Sequence, residues 1–231
     1  MITNKIYLSN MYQKEGTARV IAIEGNKITL DNTIFFAEGG GQVGDTGFID
    51  EIKICNTLKK FVRETRTLIH ADFPAIQVDT AVQHIAEGNM GILKTGDKVT
   101  MKIDWDRRYK TMRMHSAAHI VLNFCYKLFE EKIPLKGCYI HPDKSRLDFS
   151  TKFDPNKMEE LQFMSNTYIG ERHVIYNVPL KNEPEALYWI CGDIKIPCGG
   201  THVTNTSEIG KVKLKRRSQG KHTDRLYIQI Q

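Results

Sequence analysis

His115 and His119 stand four residues apart in Met-His-Ser-Ala-Ala-His, and Cys198 and His202 stand four apart in Cys-Gly-Gly-Thr-His. At i and i+4 on a helix the two imidazoles share one face, with Cβ atoms about 5–6 Å apart, which suits two ligands of one ion. The alternative for that pair is two hydrogen-bonded, partly buried histidines. Pro197 and the paired glycines make the second motif a loop that can bend a thiolate and an imidazole toward each other. Three nitrogens and one sulfur form a borderline-soft donor set that suits zinc. A metalloprotease would carry Glu directly after the first His as general base. Ser116 stands there, which argues against peptide hydrolysis by that route. His70, His84, His141, His173 and His222 are isolated in sequence and read as surface or structural histidines.

A third element, Glu38-Gly-Gly-Gly-Gln-Val-Gly-Asp-Thr-Gly47, contains Gly-x-Gly-x-x-Gly. The residues after it, Phe48 to Ile52, read as a strand, whereas a dinucleotide fingerprint needs a helix N-terminus for the pyrophosphate. Its glycine density exceeds what a turn requires, which suggests a backbone surface that approaches a ligand closely.

The elements that must position these groups fall into two halves. Residues 1 to about 95 read as β structure, with strands at Ala18–Ile23, Lys27–Leu30, Thr33–Phe36 and Gly47–Ile54, and a small barrel is expected. Gly88–Gly96 reads as a connector, so the expected domains are 1–92 and 93–231. A strand at Val99–Ile103 leads to a long helix from about Asp106, taken as N-cap, to Phe129. Leu147 and Phe149 alternate with polar residues as in a strand. Asp154-Pro155 reads as the start of a second helix and Asn182-Glu183-Pro184 as the start of a third. Strands near Ile194 and at Lys211–Leu214 close the chain. The fold class is α+β.

The chain has 231 residues, and its 41% hydrophobic and 26% charged residues are ordinary globular values that argue against disorder. No apolar run approaches the roughly 18 residues of a membrane span, and the first ten residues lack a signal-peptide pattern. Five irregularly spaced cysteines fit a reducing compartment, so a cytoplasmic location is expected. The net charge is +6, yet residues 201–231 alone hold seven basic against two acidic residues. A local basic patch is the electrostatic footprint of a polyanion, and Lys215, Arg216 and Arg217 are its densest stretch. The plainer reading is a solvated strand face, because Val212 and Leu214 alternate with lysines.

Taken in order, the Gly-Gly-Gln loop, His-x-x-x-His and Cys-x-x-x-His resemble the AlaX family of free-standing alanyl-tRNA editing proteins, and also the editing domain of alanyl-tRNA synthetase. Tyr139–Phe149 and Cys198–Gly210 are similar as well, so the resemblance covers nearly the whole chain and is closest to the medium-length type. It implies a small β-barrel followed by a zinc-containing α/β editing domain of the alanyl/threonyl-tRNA synthetase type. It further implies hydrolysis of the ester joining serine or glycine to tRNA-Ala. An alanine pocket cannot exclude smaller glycine and rejects an added hydroxyl by only about 10²-fold. The resemblance makes His115, His119, Cys198 and His202 the zinc site, with His202 either a ligand or a proton shuttle. The metal would either polarise a bound water or anchor the substrate's amino group. Gly40, Gly41 and Gln42 would face the aminoacyl end, Asp148 would support a zinc histidine, and no side chain stands out as general base. Where the synthetase pattern has Gln-Lys-Gly-Ser, this chain has Leu135-Lys136-Gly137-Cys138, which leaves serine against glycine preference open. The competing reading is a non-catalytic tRNA-binding module with a structural zinc that assists a synthetase.

Overall fold

The computed structural model describes residues 1–88, 90–129 and 133–231, so residue 89 of the expected connector lies outside the described residues. The N-terminal strands are β1 (Asn4–Lys5), β2 (Glu15–Glu24), β3 (Lys27–Leu30), β4 (Asn32–Thr33), β5 (Gly47–Ile49) and β6 (Ile52–Lys60). After them come β7 (Arg66–His70), β8 (Phe73–Val78), β9 (Ala81–Ala86) and β10 (Lys98–Ile103). Six of these close on themselves in the order β10-β2-β3-β9-β6-β5, because β10 pairs antiparallel with both β2 and β5. Alternation drives the closure: in β10, Val99, Met101 and Ile103 point inward while Lys98, Thr100 and Lys102 face out. They pack on Ile28, Leu30, Ile49 and Ile54 in one apolar cluster. The expected division at 92/93 therefore passes between two barrel strands, and we propose that the barrel unit extends through Ile103.

The long helix α1 (Trp105–Leu128) begins directly after β10. Its N-cap is Asp104, whose carboxylate accepts the Arg107 N–H, rather than the expected Asp106. Asp106 sits in the first turn, where its charge opposes the positive end of the helix dipole. Beyond it lie β11 (Leu135–Tyr139), β12 (Ser145–Phe149), α2 (Lys157–Gly170), β13 (Ile175–Leu180), β14 (Glu183–Cys191), β15 (Ile194–Pro197), β16 (Val212–Ser218) and β17 (Asp224–Ile230). The second helix starts at Lys157, with Asp154 accepting the Asn156 N–H in a preceding turn.

The third expected helix is a strand. Asn182 takes a left-handed φ of 65° between β13 and β14, a conformation that asparagine tolerates and that makes a hairpin turn. Pro184 falls in the irregular stretch of that ladder, where its missing N–H is not needed.

One four-stranded antiparallel sheet runs β11-β12-β17-β16, and a three-stranded one runs β13-β14-β15. The larger core lies between these sheets and the two helices, around Met112, Ile120, Leu147, Phe149, Trp189 and Leu226. Among the described residues no helix is long and apolar enough to cross a membrane.

Candidate metal centre

His115 and His119 project from α1 onto the Cys198–His202 loop. His115 and His202 have ring centroids 4.3 Å apart, and His119 and His202 4.9 Å. Cys198 Sγ is 3.5 Å from His115 Nε2. One donor atom from each of the four residues lies within 4.8 Å of the others, so the group can hold a metal ion.

The chemistry of the cluster fits a cation. His119 Nε2 and both ring nitrogens of His202 are buried without a hydrogen-bond partner among the described residues. Such orphans cost about 1–3 kcal/mol each unless something binds them. Burial holds His115 well below its ordinary pKa, with His119 adding to the effect, and pushes His119 down to about 3. Burial likewise lowers His202, so all three imidazoles are neutral and offer lone pairs. The Cys198 thiol is pushed up to about 12 by burial, which a bound cation would reverse. The Gly200 N–H, 3.4 Å from Cys198 Sγ, is placed to stabilise the thiolate that a bound cation would favour.

Gln42 sets the tautomer of His115. The Thr201 N–H can only donate, so the Gln42 amide atom 3.0 Å from it is the oxygen. His115 Nδ1 lies 2.7 Å from that same oxygen and must carry the proton, which leaves Nε2 as the ligand atom. Gln42 Nε2 donates to Thr201 Oγ1. Gln42, expected to face the aminoacyl end, is fully buried behind His115 and is not among the residues that line the neighbouring cavity. Replacing Gln42 with Leu is expected to weaken zinc affinity about 10–100-fold, as loss of such a support does elsewhere. Competition titration with a chromogenic chelator measures this.

The glycines divide in the same way. A Cβ on Gly41 would lie 2.5 Å from Cys138 Sγ and 2.7 Å from its carbonyl oxygen, so this close approach is to the chain's own backbone. Gly200 has no room for a Cβ beside His115. Gly40, with φ 58° and nothing within 4 Å of a built Cβ, faces a cavity. That cavity has a volume of about 330 Å³, and His115, His119, Cys198, Leu135 and Cys138 all form part of its wall. His202 instead borders a separate recess beside Met11 and Tyr12.

No spacing or motif in the sequence marks the cavity's charged groups. Lys5 donates to Glu185 across 180 positions of chain, and Lys59, its pKa lowered mainly by burial, lies on the same wall.

Asp148 is not a partner of any site histidine. Leu147 and Phe149 point into the core, so Asp148 points the other way and binds Arg225, with Nε to Oδ1 2.5 Å and Nη2 to Oδ2 3.1 Å. The basic trio also splits by alternation. Lys215 and Arg217 are exposed, while Arg216 turns inward and donates to the buried Asp224.

Comparison with known proteins adds the following. A family model described as tRNA synthetases class II (A) matches residues 2–107. One described as threonyl and alanyl tRNA synthetase second additional domain matches residues 187–227, the stretch that holds Cys198 and His202. The chain is 34% identical to alanyl-tRNA editing protein AlaX-M of Methanosarcina mazei, covering 99% of this chain and 97% of that protein. For the AlaX-M protein of Methanosarcina barkeri the identity is 33%, with 99% of both chains covered. It is 32% identical to the alanine–tRNA ligase of Sulfurisphaera tokodaii over 92% of the chain, and spans 24% of that ligase.

Proposed function

The chain belongs to the AlaX family of alanyl-tRNA editing proteins, and from that premise we propose that it is a zinc-dependent deacylase acting in trans on tRNA-Ala charged with a wrong amino acid. The observation that carries this reading is the convergence of His115, His119, Cys198 and His202, three of them opening onto a largely apolar cavity bordered by Gly40. Bound there, zinc supplies a Lewis acid that polarises the ester or an attacking water.

The protein's own residues do the rest. Gln42 holds His115 in the Nε2-ligating tautomer, and the Gly200 N–H steadies the sulfur of Cys198. Walls made by Leu122, Leu135, Ile140 and Leu147 exclude bulk water, which strengthens every polar interaction inside. Glu185, already paired with Lys5, offers the carboxylate on that wall against which an α-ammonium group can rest. Leu135 gives a serine hydroxyl no partner, and the Cys138 thiol is turned to the Gly40 carbonyl at 3.3 Å. Glycine should therefore be removed at least as fast as serine.

A second reading is favoured by the donor count. Four protein donors can close a tetrahedral shell, which is the signature of a structural zinc in a tRNA-binding module. One panel separates the two. Glycyl-, seryl- and alanyl-tRNA-Ala are incubated with the protein, with and without a zinc chelator. We expect release of glycine and serine, sparing of alanine, and loss of release on chelation. Unchanged ester levels throughout, with tRNA still bound, would leave the binding module standing.

A further inference from the structure

The sheet β11-β12-β17-β16 has an inner face that packs on α1 and α2, and an outer face on which Tyr139, Lys215 and Arg217 are exposed. The strand register places Tyr139, Arg146, Tyr227 and Lys215 side by side in one row across all four strands of the outer face. Aromatic and basic side chains thus alternate along a line that crosses the sheet. Lys144 Nζ stands 3.8 Å over the Tyr227 ring, and His141 stacks on Tyr139 with centroids 5.8 Å apart and planes 13° from parallel. These five residues, Lys215 aside, line an open recess of about 440 Å³.

The protein neutralises the charges on this face only in part: Arg146 and Arg225 share a single carboxylate, Asp148, with Arg146 Nε at 3.8 Å from it. Lys215 and Arg217 have no ion pair among the described residues, and Arg146 Nε makes no hydrogen bond. Arg217 lies directly opposite Arg225 in the ladder, and Asp148 offsets only the Arg225 member of that like-charge pair. The Tyr227 hydroxyl is held below its ordinary pKa by Arg225 first, then by Lys144 and Arg217, which reports the same positive field. Tyr139 is 42% exposed, an aromatic ring left in solvent beside cations.

Position connects this face to the cavity. β11 is the edge strand, and its residues alternate over that edge: Cys138 lines the metal-centre cavity, while Tyr139, the next residue, faces outward. A strand of RNA passing over β11 would have its end in the cavity and its preceding nucleotides on the outer face.

We propose that this outer face is a binding platform for unpaired RNA, with nucleobases stacking on Tyr139 and Tyr227 and phosphates held by Lys144, Arg146 and Lys215. The occupant is the single-stranded 3′ end that delivers the ester to the cavity, so the proposal rests on the deacylase reading for its purpose but not for its chemistry. Alternation of rings and cations is what sequence-tolerant single-strand binding requires: rings accept any base, and cations track the backbone.

The test uses the whole protein and an uncharged RNA hairpin carrying four unpaired 3′ nucleotides, labelled at its 5′ end, beside its blunt counterpart. By anisotropy the tailed hairpin should bind more tightly than the blunt one. Tyr139→Ala and Tyr227→Ala should each weaken it about tenfold and leave blunt-hairpin binding unchanged. Tyr139→Phe and Tyr227→Phe should bind as the parent does, since stacking needs the ring and not the hydroxyl. Lys215→Gln should lower the slope of log K against log salt by about 0.7. Should an alanine variant fail to fold, Lys144→Gln, an exposed change, gives the same readout. Equal affinity of the parent and the alanine variants for the tailed hairpin overturns the platform, as does equal binding of tailed and blunt hairpins. Since no ester is present, a failure of the deacylase reading would not register in this assay.

Discussion

Replacing both His115 and His119 with alanine is expected to abolish zinc retention and to lower deacylation of mischarged tRNA-Ala by at least about 10³-fold. The change removes two of four donors and leaves Cys198 and His202, too few to hold the ion. A Lewis acid is worth several kcal/mol of transition-state stabilisation, and each 1.36 kcal/mol is tenfold in rate, which sets the size of the loss. Cys198 cannot take over as a nucleophile, because burial pushes its thiol up to about 12 and keeps it protonated at neutral pH. Nor should the fold collapse. α1 is anchored by Met112, Ile120, Val121 and Phe124 in the core, and the two histidines are among its few polar buried groups. Zinc content by elemental analysis, a deacylation time course and a thermal melt on one preparation test all three points. Normal deacylation would remove the centre from the chemistry. Lost zinc with a much lower melting temperature and undiminished hydrolysis would assign it a structural role.

The parts of this molecule legible in its sequence are those whose signal is local. His115 and His119 declare themselves because helical spacing converts directly into a shared face, and the two glycines between Cys198 and His202 declare a bend. The glycine loop was visible too, but not what it approaches. Gly41 clears the backbone of Cys138 and Gln42 supports His115, and both contacts bridge long stretches of chain. Asp148 and Arg216 show a second limit. Each is a suitable residue type, and each is turned away from its expected role by strand alternation, toward Arg225 and Asp224 respectively. The row Tyr139–Arg146–Tyr227–Lys215 depends on register among four strands, which no one strand contains. Asn182-Glu183-Pro184 misleads for a different reason. The same residues that open helices also make hairpin turns, and only the pairing of β13 with β14 decides between them.

Breaking the buried ion pair between Arg108 and Asp45 is expected to cost about 3–5 kcal/mol, because removing one partner leaves an uncompensated buried charge. Arg108 is fully buried near the start of α1 and grips Asp45 with two of its nitrogens. It also donates to the Met11 carbonyl at 2.9 Å and to the Ile34 carbonyl at 2.7 Å. Asp45 in turn accepts the Phe36 N–H at 2.6 Å. Arg108→Met should therefore lower the melting temperature by about 10 °C, at about 2–4 °C per kcal/mol for a chain of this size. The double variant Asp45→Leu/Arg108→Met removes both charges but still strands the Phe36 N–H and two carbonyls, each a cost of about 1–3 kcal/mol. It should recover only part of the loss. The same contacts reach the metal centre. Phe36 and Asp45 bracket the loop that carries Gln42, and Arg108 lies two helical turns before His115. Loosening that loop withdraws the oxygen that fixes the His115 tautomer. Zinc affinity of Arg108→Met, measured well below its melting temperature, should then fall about as far as it does for Gln42→Leu. Unchanged affinity in a destabilised Arg108→Met would mean that the Val43–Ile140 and Ile140–Gly41 backbone bonds hold Gln42 in place without help from the ion pair.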